Sequence, residues 1–172
     1  MFQALPDRPE NAPQSVSSNN LQLISDQSVS SFGRLYNEKT FWDAWYADIK
    51  TAKRNVLIVC PFVSIRYTLP VVEQLLSEAD DKVDFLIVSR PEKDQNYCNR
   101  SVLPMLRERG IVTAPREGIH QKICIIDNAI ALEGSLNMLS YKNSLDHMRR
   151  IECPDAVQQI MRTNSLAVRS CD

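Results

Sequence analysis

The segment that decides the fold reads IHQKICIIDNAIALEGSLNM and spans residues 119–138. It contains two apolar runs, residues 119–126 and 129–132, which are joined at Asp127-Asn128. Short apolar runs on either side of a turn dipeptide predict two strands that are buried on both faces. Because a tight turn makes such strands neighbours, the sequence predicts that the two ends of the segment lie side by side.

His120 and Lys122 stand two residues apart at the start of the first predicted strand. Successive side chains of a strand point to opposite faces, so these two would share one face while Gln121 would point away. A lysine offers charge and hydrogen-bond donors to a phosphate, and an imidazole offers a nucleophile or a proton carrier near neutral pH. Burying Lys122 among isoleucines without a partner would be costly, which favours a position that faces a ligand.

The second run leads into Gly134-Ser135 and Asn137, which the predicted turn returns beside His120. Gly134 would let the backbone approach a ligand closely. The Ser135 hydroxyl and the Asn137 amide can donate hydrogen bonds to phosphate oxygens, and a helix starting here would add oriented N–H groups. A simple turn at Gly134-Ser135 and a helix cap at Asn137 are the alternative interpretations.

Outside this segment, helical and strand patterns alternate with short connections. Periodicity predicts helices at residues 41–54, 69–78, 100–109 and 155–161 and further strands at 56–60, 83–89 and 111–112. Trp42 and Trp45 have helical spacing and are interpreted as core residues rather than as a base-stacking surface. The alternation predicts an α/β domain with a mixed β-sheet and helices on both faces.

A length of 172 residues leaves room for one domain of ordinary size. Residues 1–30 are rich in Pro, Asn, Ser and Gln, so we interpret them as a flexible arm or linker in which residues 21–24 could form an edge strand. Residues 31–172 are then the catalytic domain. The chain begins without the features of a secretory signal, contains no apolar run of membrane-spanning length, and has five scattered cysteines. We therefore expect a cytoplasmic protein with reduced thiols and no membrane partner.

The pattern His120-x-Lys122-x4-Asp127-x6-Gly134-Ser135-x-Asn137 is similar to the HKD signature of the phospholipase D superfamily, with every signature position at the family spacing. The resemblance implies that one histidine attacks phosphorus to form a phosphohistidine. A second histidine would protonate the leaving oxygen and then activate water. Lysine and asparagine side chains would stabilise the charge on the phosphoryl oxygens. No metal or other cofactor is implied.

Two carboxylates join the candidate catalytic set through this resemblance. Asp127 lies at a strand end and in the family is more often structural than catalytic. Glu152 follows the motif and is a candidate to hold His120 in the right tautomer, with a salt bridge to a neighbouring arginine, Arg149 or Arg150, as the alternative.

The expected activity is that of a metal-independent phosphodiesterase whose substrate is a nucleic acid, DNA in the first place. The formal net charge of −1 argues mildly against a polyanionic ligand. However, six basic residues precede or enter the motif region: Arg90, Lys93, Arg100, Arg107, Arg109 and Arg116. They predict a basic surface around the site, with an ordinary charged surface as the alternative.

Two rival functions remain open. One is a phospholipase or phosphatidyltransferase, although such enzymes usually carry two motifs in a longer chain. The other is a non-catalytic nucleic-acid-binding or assembly module with the same fold, against which the intact His120 and Lys122 argue. Residues 134–152 also resemble phospholipase D-type domains that occur alone or are appended to helicases and defence nucleases, which makes a larger helicase or defence complex a candidate partner.

The mechanism needs two histidines on opposite sides of one phosphorus, but the chain contains only His120 and His147 and no internal repeat. His147 has no motif support and is interpreted as a surface residue. We therefore expect a symmetric homodimer in which the motif residues of both subunits form one composite site. Apolar residues that follow the second strand are candidates for the dimer interface, with the protein core as the alternative: Leu136, Met138 and Leu139.

Overall fold

A computed structural model of the chain describes residues 33–140 and 145–166. The strands are β1 (Arg34–Asn37), β2 (Asn55–Val59), β3 (Asp84–Ser89), β4 (Val112–Pro115), β5 (Ile123–Ile126), β6 (Ile130–Gly134) and β7 (His147–Ile151). The helices are α1 (Phe41–Thr51), α2 (Thr68–Glu78), α3 (Val102–Glu108) and α4 (Pro154–Thr163). The predicted arm, including the possible strand at residues 21–24, lies outside the described residues.

The seven strands form one sheet in the order β1-β7-β6-β5-β2-β3-β4. Strands β2, β3 and β4 are parallel to one another, whereas β5, β6, β7 and β1 continue the sheet by antiparallel pairing. The prediction of a mixed sheet is therefore confirmed. The segment of residues 119–138 supplies β5 and β6 at the centre of the sheet, where neighbours on both sides and layers on both faces explain its unbroken apolar character.

Helices cover both faces of the sheet, as the sequence predicts. Helices α1, α2 and α3 pack on one face, whereas α4 packs on the other through Val157 and Met161. Trp45 is fully buried in the first layer, and its indole N–H donates a hydrogen bond to the Cys124 thiol at 3.3 Å. The interpretation of Trp42 and Trp45 as core residues is confirmed, because Trp42 is partly buried and packs against the same cluster. No helix within the described residues is long and apolar enough to cross a membrane.

The start of β5 differs from the prediction, which began this strand at Ile119. The last pair of the β2–β5 ladder is Val59 with Ile123, and residues 119–122 therefore precede the strand. The reason is that β2 itself ends there: the Cys60 N–H bonds to β3, and Pro61 has no N–H to donate. The helix expected after Gly134 is also missing from residues 135–140, which form a bend and a turn.

The turn between β5 and β6 is anchored to the start of the neighbouring strand β2. Asp127 and Asn128 both adopt the left-handed conformation, with φ of 53° and 57°, which these two residue types tolerate better than most. The Asp127 carboxylate accepts hydrogen bonds from the backbone N–H groups of Lys53, Arg54 and Asn55 at 2.7, 2.8 and 3.0 Å. It thereby ties the hairpin to the start of β2.

The Asp127 anchor leads to a stability prediction. Burial alone would raise the pKa of Asp127, but the three N–H groups and the Arg54 charge outweigh it and lower the pKa below its ordinary value. The stabilisation is therefore present above the ordinary pKa and is lost as the pH falls through the lowered one. We expect Asp127→Ala to reduce the free energy of unfolding by about 2–3 kcal/mol at neutral pH, measured by urea denaturation. The exposed Asp84→Ala should change it little. A stable Asp127→Ala protein would contradict the anchor.

Candidate active site

The candidate site lies at the end of the sheet formed by the carboxyl ends of the parallel strands β2 and β3. This end of the sheet is called the edge below. The pairing of Val59 with Ile123 places the first residues of β5 at this edge, and Lys122 and His120 come directly before them. In open α/β sheets, the carboxyl ends of the strands are where ligands usually bind. The structure thus brings the predicted pair to the edge that suits a ligand.

His120 and Lys122 are in contact although they do not belong to a regular strand. The Lys122 Nζ donates to the His120 carbonyl oxygen at 2.7 Å and lies 3.2 Å from Nδ1 and 3.4 Å from Nε2 of the His120 ring. Lys122 is only 7% exposed, whereas His120 is exposed. The imidazole therefore faces solvent with an ammonium group beside it, so an anion that reaches one of them also reaches the other.

The electrostatic surroundings of Lys122 favour an anionic ligand. Burial lowers the pKa of Lys122 below its ordinary value, and the charge of Arg90 acts in the same direction, while Cys60 and Asp146 oppose the shift. The neighbouring Cys60 is itself fully buried, and burial raises the pKa of its thiol to about 11. Lys122 makes no ion pair with a carboxylate among the described residues. A phosphate would supply the missing negative charge.

Gly134 has a different role from the one expected. A Cβ atom added to Gly134 would collide with the His147 carbonyl oxygen and the Met148 backbone, so the glycine allows β7 to approach rather than a ligand. The Ser135 N–H donates to the His147 carbonyl at 3.0 Å, and the Ser135 hydroxyl oxygen accepts the His147 N–H at 3.2 Å. The hydroxyl hydrogen of Ser135 is still available to donate to a phosphate oxygen.

Asn137 follows in the loop beyond β6. Its Oδ1 atom is buried and has no hydrogen-bond partner within the described residues. Buried amide groups are normally satisfied, so the contact of Asn137 with a ligand stays a prediction. The apolar residues around it do not form an exposed patch, which confirms the core alternative to the predicted interface: Leu136, Met138 and Leu139 are each at most 1% exposed.

The two predicted carboxylates lie away from this edge. Asp127 follows the last residue of β5, at the far end of that strand from His120. Glu152 follows the last residue of β7, and the antiparallel register of β7 with β6 puts that end beside the start of β6. There Glu152 accepts a hydrogen bond from Arg150 at 2.7 Å. The proposed orientation of His120 by Glu152 is therefore wrong, and the salt-bridge alternative is confirmed.

The sequence did not indicate Asp146 and His147, which the structure brings to the site. Because β7 runs antiparallel to β6, its first residue, not its last, returns beside Gly134. His147 is exposed and, together with Lys122 and Gly134, lines an open groove of about 630 Å³. Asp146 lies close enough for its charge to act on Lys122. Finding Asp146 and His147 required the pairing register of β7 with β6, since neither residue belongs to the motif.

The predicted basic surface is only partly present. Three of its six residues form ion pairs: Lys93 with Glu117, Arg107 with Glu92, and Arg109 with Glu73. No described ion pair involves the other three, Arg90, Arg100 and Arg116. Arg90 is the closest of these to the motif, because its Nε donates to the Ile119 carbonyl oxygen at 2.9 Å. Of the six predicted residues, Arg90 is thus the one that a described contact places beside the motif.

Comparison with known proteins agrees with this geometry. The profile of a family described as "cardiolipin synthase, PLD-like domain" matches residues 46–163. NucT from Helicobacter pylori superposes with a TM-score of 0.61 at 14% identity, covering 77% of this chain and 94% of NucT. Nuc from Salmonella typhimurium, described as a phospholipase D family member, gives 0.59 at 19% identity, with 76% and 89% covered.

A third similar structure is that of phosphatidylserine synthase from Haemophilus influenzae. It superposes with a TM-score of 0.56 at 10% identity, covering 81% of this chain and 39% of that protein. At these identities the structural matches establish a shared fold. A search of curated protein sequences found no significant match.

The buried charge of Lys122 leads to a second stability prediction. The folded protein releases the lysine proton more readily than the unfolded chain, so stability should rise with pH between the lowered pKa and the ordinary value of 10.5. We expect Lys122→Met to remove this pH dependence and to raise the free energy of unfolding at neutral pH by up to about 1 kcal/mol. Urea denaturation over a pH series measures both effects, with the exposed Lys39→Met as the control. A less stable Lys122→Met protein would show that the hydrogen bond to His120 outweighs burial.

Proposed function

This chain belongs to the phospholipase D superfamily through its PLD-like domain, and on that premise we propose that it hydrolyses the phosphodiester backbone of a nucleic acid. The observation that carries the proposal is the contact of the buried Lys122 ammonium with the exposed His120 ring. A nucleophile and a buried cation 3.2 Å apart suit the attack on a phosphodiester.

The proposed reaction has two steps at phosphorus. A ring nitrogen of His120 forms a bond to phosphorus while the bond from phosphorus to the leaving oxygen breaks, and a second histidine transfers a proton to that oxygen. Water then attacks the phosphohistidine, losing its proton to the second histidine, so that His120 is released and a phosphomonoester end is formed. Lys122, the Ser135 hydroxyl and the Asn137 amide bind the phosphoryl oxygens during both steps.

The surroundings of the site favour a nucleic acid over a lipid. Arg90 carries positive charge directly beside the motif, and its guanidinium group stacks over the Phe62 ring at 4.9 Å. The groove beside Lys122 also contains the side chains of His147 and Arg149, which can contact a phosphate backbone. A lipid substrate is the second candidate, because the matched family description and the phosphatidylserine synthase fold both refer to lipid enzymes.

Substitution of His120 tests the proposed chemistry. We expect His120→Asn to abolish hydrolysis of bis-p-nitrophenyl phosphate and of a labelled oligonucleotide, while Lys122→Ala lowers the rate by about 10²- to 10³-fold. Activity should persist in EDTA. Lys39→Ala, at an exposed residue outside the site, is the control, and His147→Asn tests the other histidine of the chain. Near-normal activity of His120→Asn would refute the mechanism, and cleavage of phosphatidylglycerol vesicles but not of the oligonucleotide would favour the lipid candidate.

We further propose that the second histidine is His120 of another copy of this chain. One chain presents a single motif, and His120 is open to solvent on the side where a second subunit could approach. The interface predicted from apolar residues after β6 is wrong, because those residues are core. The groove beside Lys122 instead offers exposed residues for a two-fold contact, including Leu35, which is 68% exposed, and Arg149.

A mixing experiment tests the composite site. Wild-type protein and an excess of inactive His120→Asn protein are combined, allowed to exchange subunits, and assayed with bis-p-nitrophenyl phosphate. Mixed dimers contain one His120 instead of two, so activity should fall well below the value expected from dilution alone. Light scattering should give a dimer mass. A fully active monomer, together with loss of activity in His147→Asn, would instead assign the proton transfer to His147 of the same chain.

A further inference from the structure

Two loops beside the site are joined into one unit by a buried glutamine. The loops, residues 60–67 and 90–101, leave the carboxyl ends of β2 and β3. Gln95 is 4% exposed; its Oε1 accepts the Val63 N–H at 3.2 Å, and its Nε2 donates to the Pro61 carbonyl at 3.1 Å. A buried amide that bonds both loops fixes them relative to each other. The two loops therefore form one preorganised surface.

Three arginines of these loops each lie over an aromatic ring. The stacked pairs are Arg66 with Tyr67 at 5.4 Å, Arg90 with Phe62 at 4.9 Å, and Arg100 with Tyr97 at 5.6 Å. None of the three arginines takes part in an ion pair among the described residues. These six residues are called the arginine–aromatic platform below.

The platform is partly exposed, and one of its arginines contacts the motif segment. Tyr97 is 86% exposed, and Arg66 and Arg100 are exposed as well, whereas Phe62, Tyr67 and Arg90 are half-buried. At its inner end, Arg90 donates to the carbonyl oxygen of the residue before His120. The platform therefore adjoins the site at Arg90.

A polar pocket lies between the two loops. It has a volume of about 440 Å³ and is lined by Phe62, Ser64, Asn96, Asn99 and other residues of both loops, with Ser140 from the motif side. The Asn99 side chain also accepts the Ile65 N–H at 3.2 Å, so part of the wall is fixed. The pocket combines one aromatic ring with amide and hydroxyl groups, the chemistry that binds an unstacked nucleobase.

We infer that the arginine–aromatic platform binds unpaired bases next to the cleaved phosphate and that the substrate is a single-stranded nucleic acid. The inference rests on the proposed function and narrows it. Aromatic rings and guanidinium planes stack on bases whose faces are open, and guanidinium groups also bind the adjoining phosphates. In a duplex the base faces are covered by their neighbours, so a duplex could use the charges of the platform but not its rings.

Binding measured without cleavage tests the inference. In the inactive His120→Asn protein, Tyr97→Ala and Arg100→Ala should each weaken binding of fluorescein-labelled oligothymidylate by roughly tenfold in fluorescence anisotropy. Tyr97→Phe should bind normally, because the ring is kept. Arg109→Ala is the charge-matched control, since Arg109 lies at the opposite end of α3 and pairs with Glu73. With His120 restored, both alanine variants should hydrolyse bis-p-nitrophenyl phosphate normally but show a higher KM for the oligonucleotide.

Three results would overturn the inference. The first is unchanged binding of the oligothymidylate by Tyr97→Ala and Arg100→Ala. The second is an equal loss of affinity for a duplex, which would show that only charge matters. The third is a loss of binding to phosphatidylglycerol vesicles rather than to nucleic acid. A different outcome would separate the two proposals. If the protein with His120 cleaves neither the oligonucleotide nor bis-p-nitrophenyl phosphate, but Tyr97→Ala and Arg100→Ala weaken single-strand binding, the proposed function is refuted and the platform is supported.

Discussion

The antiparallel pairing of β5 with β2 is the constraint on which the rest of the structure depends. β2 and β3 are parallel and end at one edge of the sheet, and the pairing of Val59 with Ile123 brings the beginning of β5 to that same edge. Had β5 been parallel to β2, Asp127 would lie there instead, and His120 would face the opposite side. The position of the site is thus a consequence of strand direction. The antiparallel direction of β5 places His120 and Lys122 at the carboxyl ends of the parallel strands β2 and β3.

Local patterns in the sequence were sufficient for the four helices, for strands β2 to β6 and for the centre of the site, but they did not predict β1 or β7. The run before Pro61 has no polar residue on either face, which predicts a central strand, and the two-residue spacing of His120 and Lys122 predicts their proximity. The direction and register of β7 were not predictable in this way, since they depend on pairing with β6 and not on a local pattern. For that reason Glu152 was placed at the wrong edge of the sheet and Asp146 was overlooked.

Packing explains the remaining differences between expectation and structure. Gly134 and the apolar residues after it were open to two interpretations, a ligand contact or a contact with another part of the protein. The position of β7 distinguishes them and shows contacts within the protein. Gly134 faces the Met148 backbone, and Leu136 belongs to the core. Lys122 is the reverse case. Its burial is costly to the fold, because removal from water disfavours the charged form of the side chain. A bound anion would recover part of that free energy, so occupancy of the site and stability of the domain are linked.

The contact of Gly134 with β7 also separates two kinds of evolutionary pressure within one short motif. His120 and Lys122 precede the first residue of β5 and take no part in its pairing. A lineage that had lost the proposed catalysis could therefore replace them without losing the sheet. Gly134 has no such freedom, since any side chain there meets the backbone of a neighbouring strand. A descendant of this domain that had become a pure scaffold would therefore still carry the glycine. Within this motif Gly134 is required by the packing of the sheet, whereas His120 and Lys122 are required by the proposed chemistry.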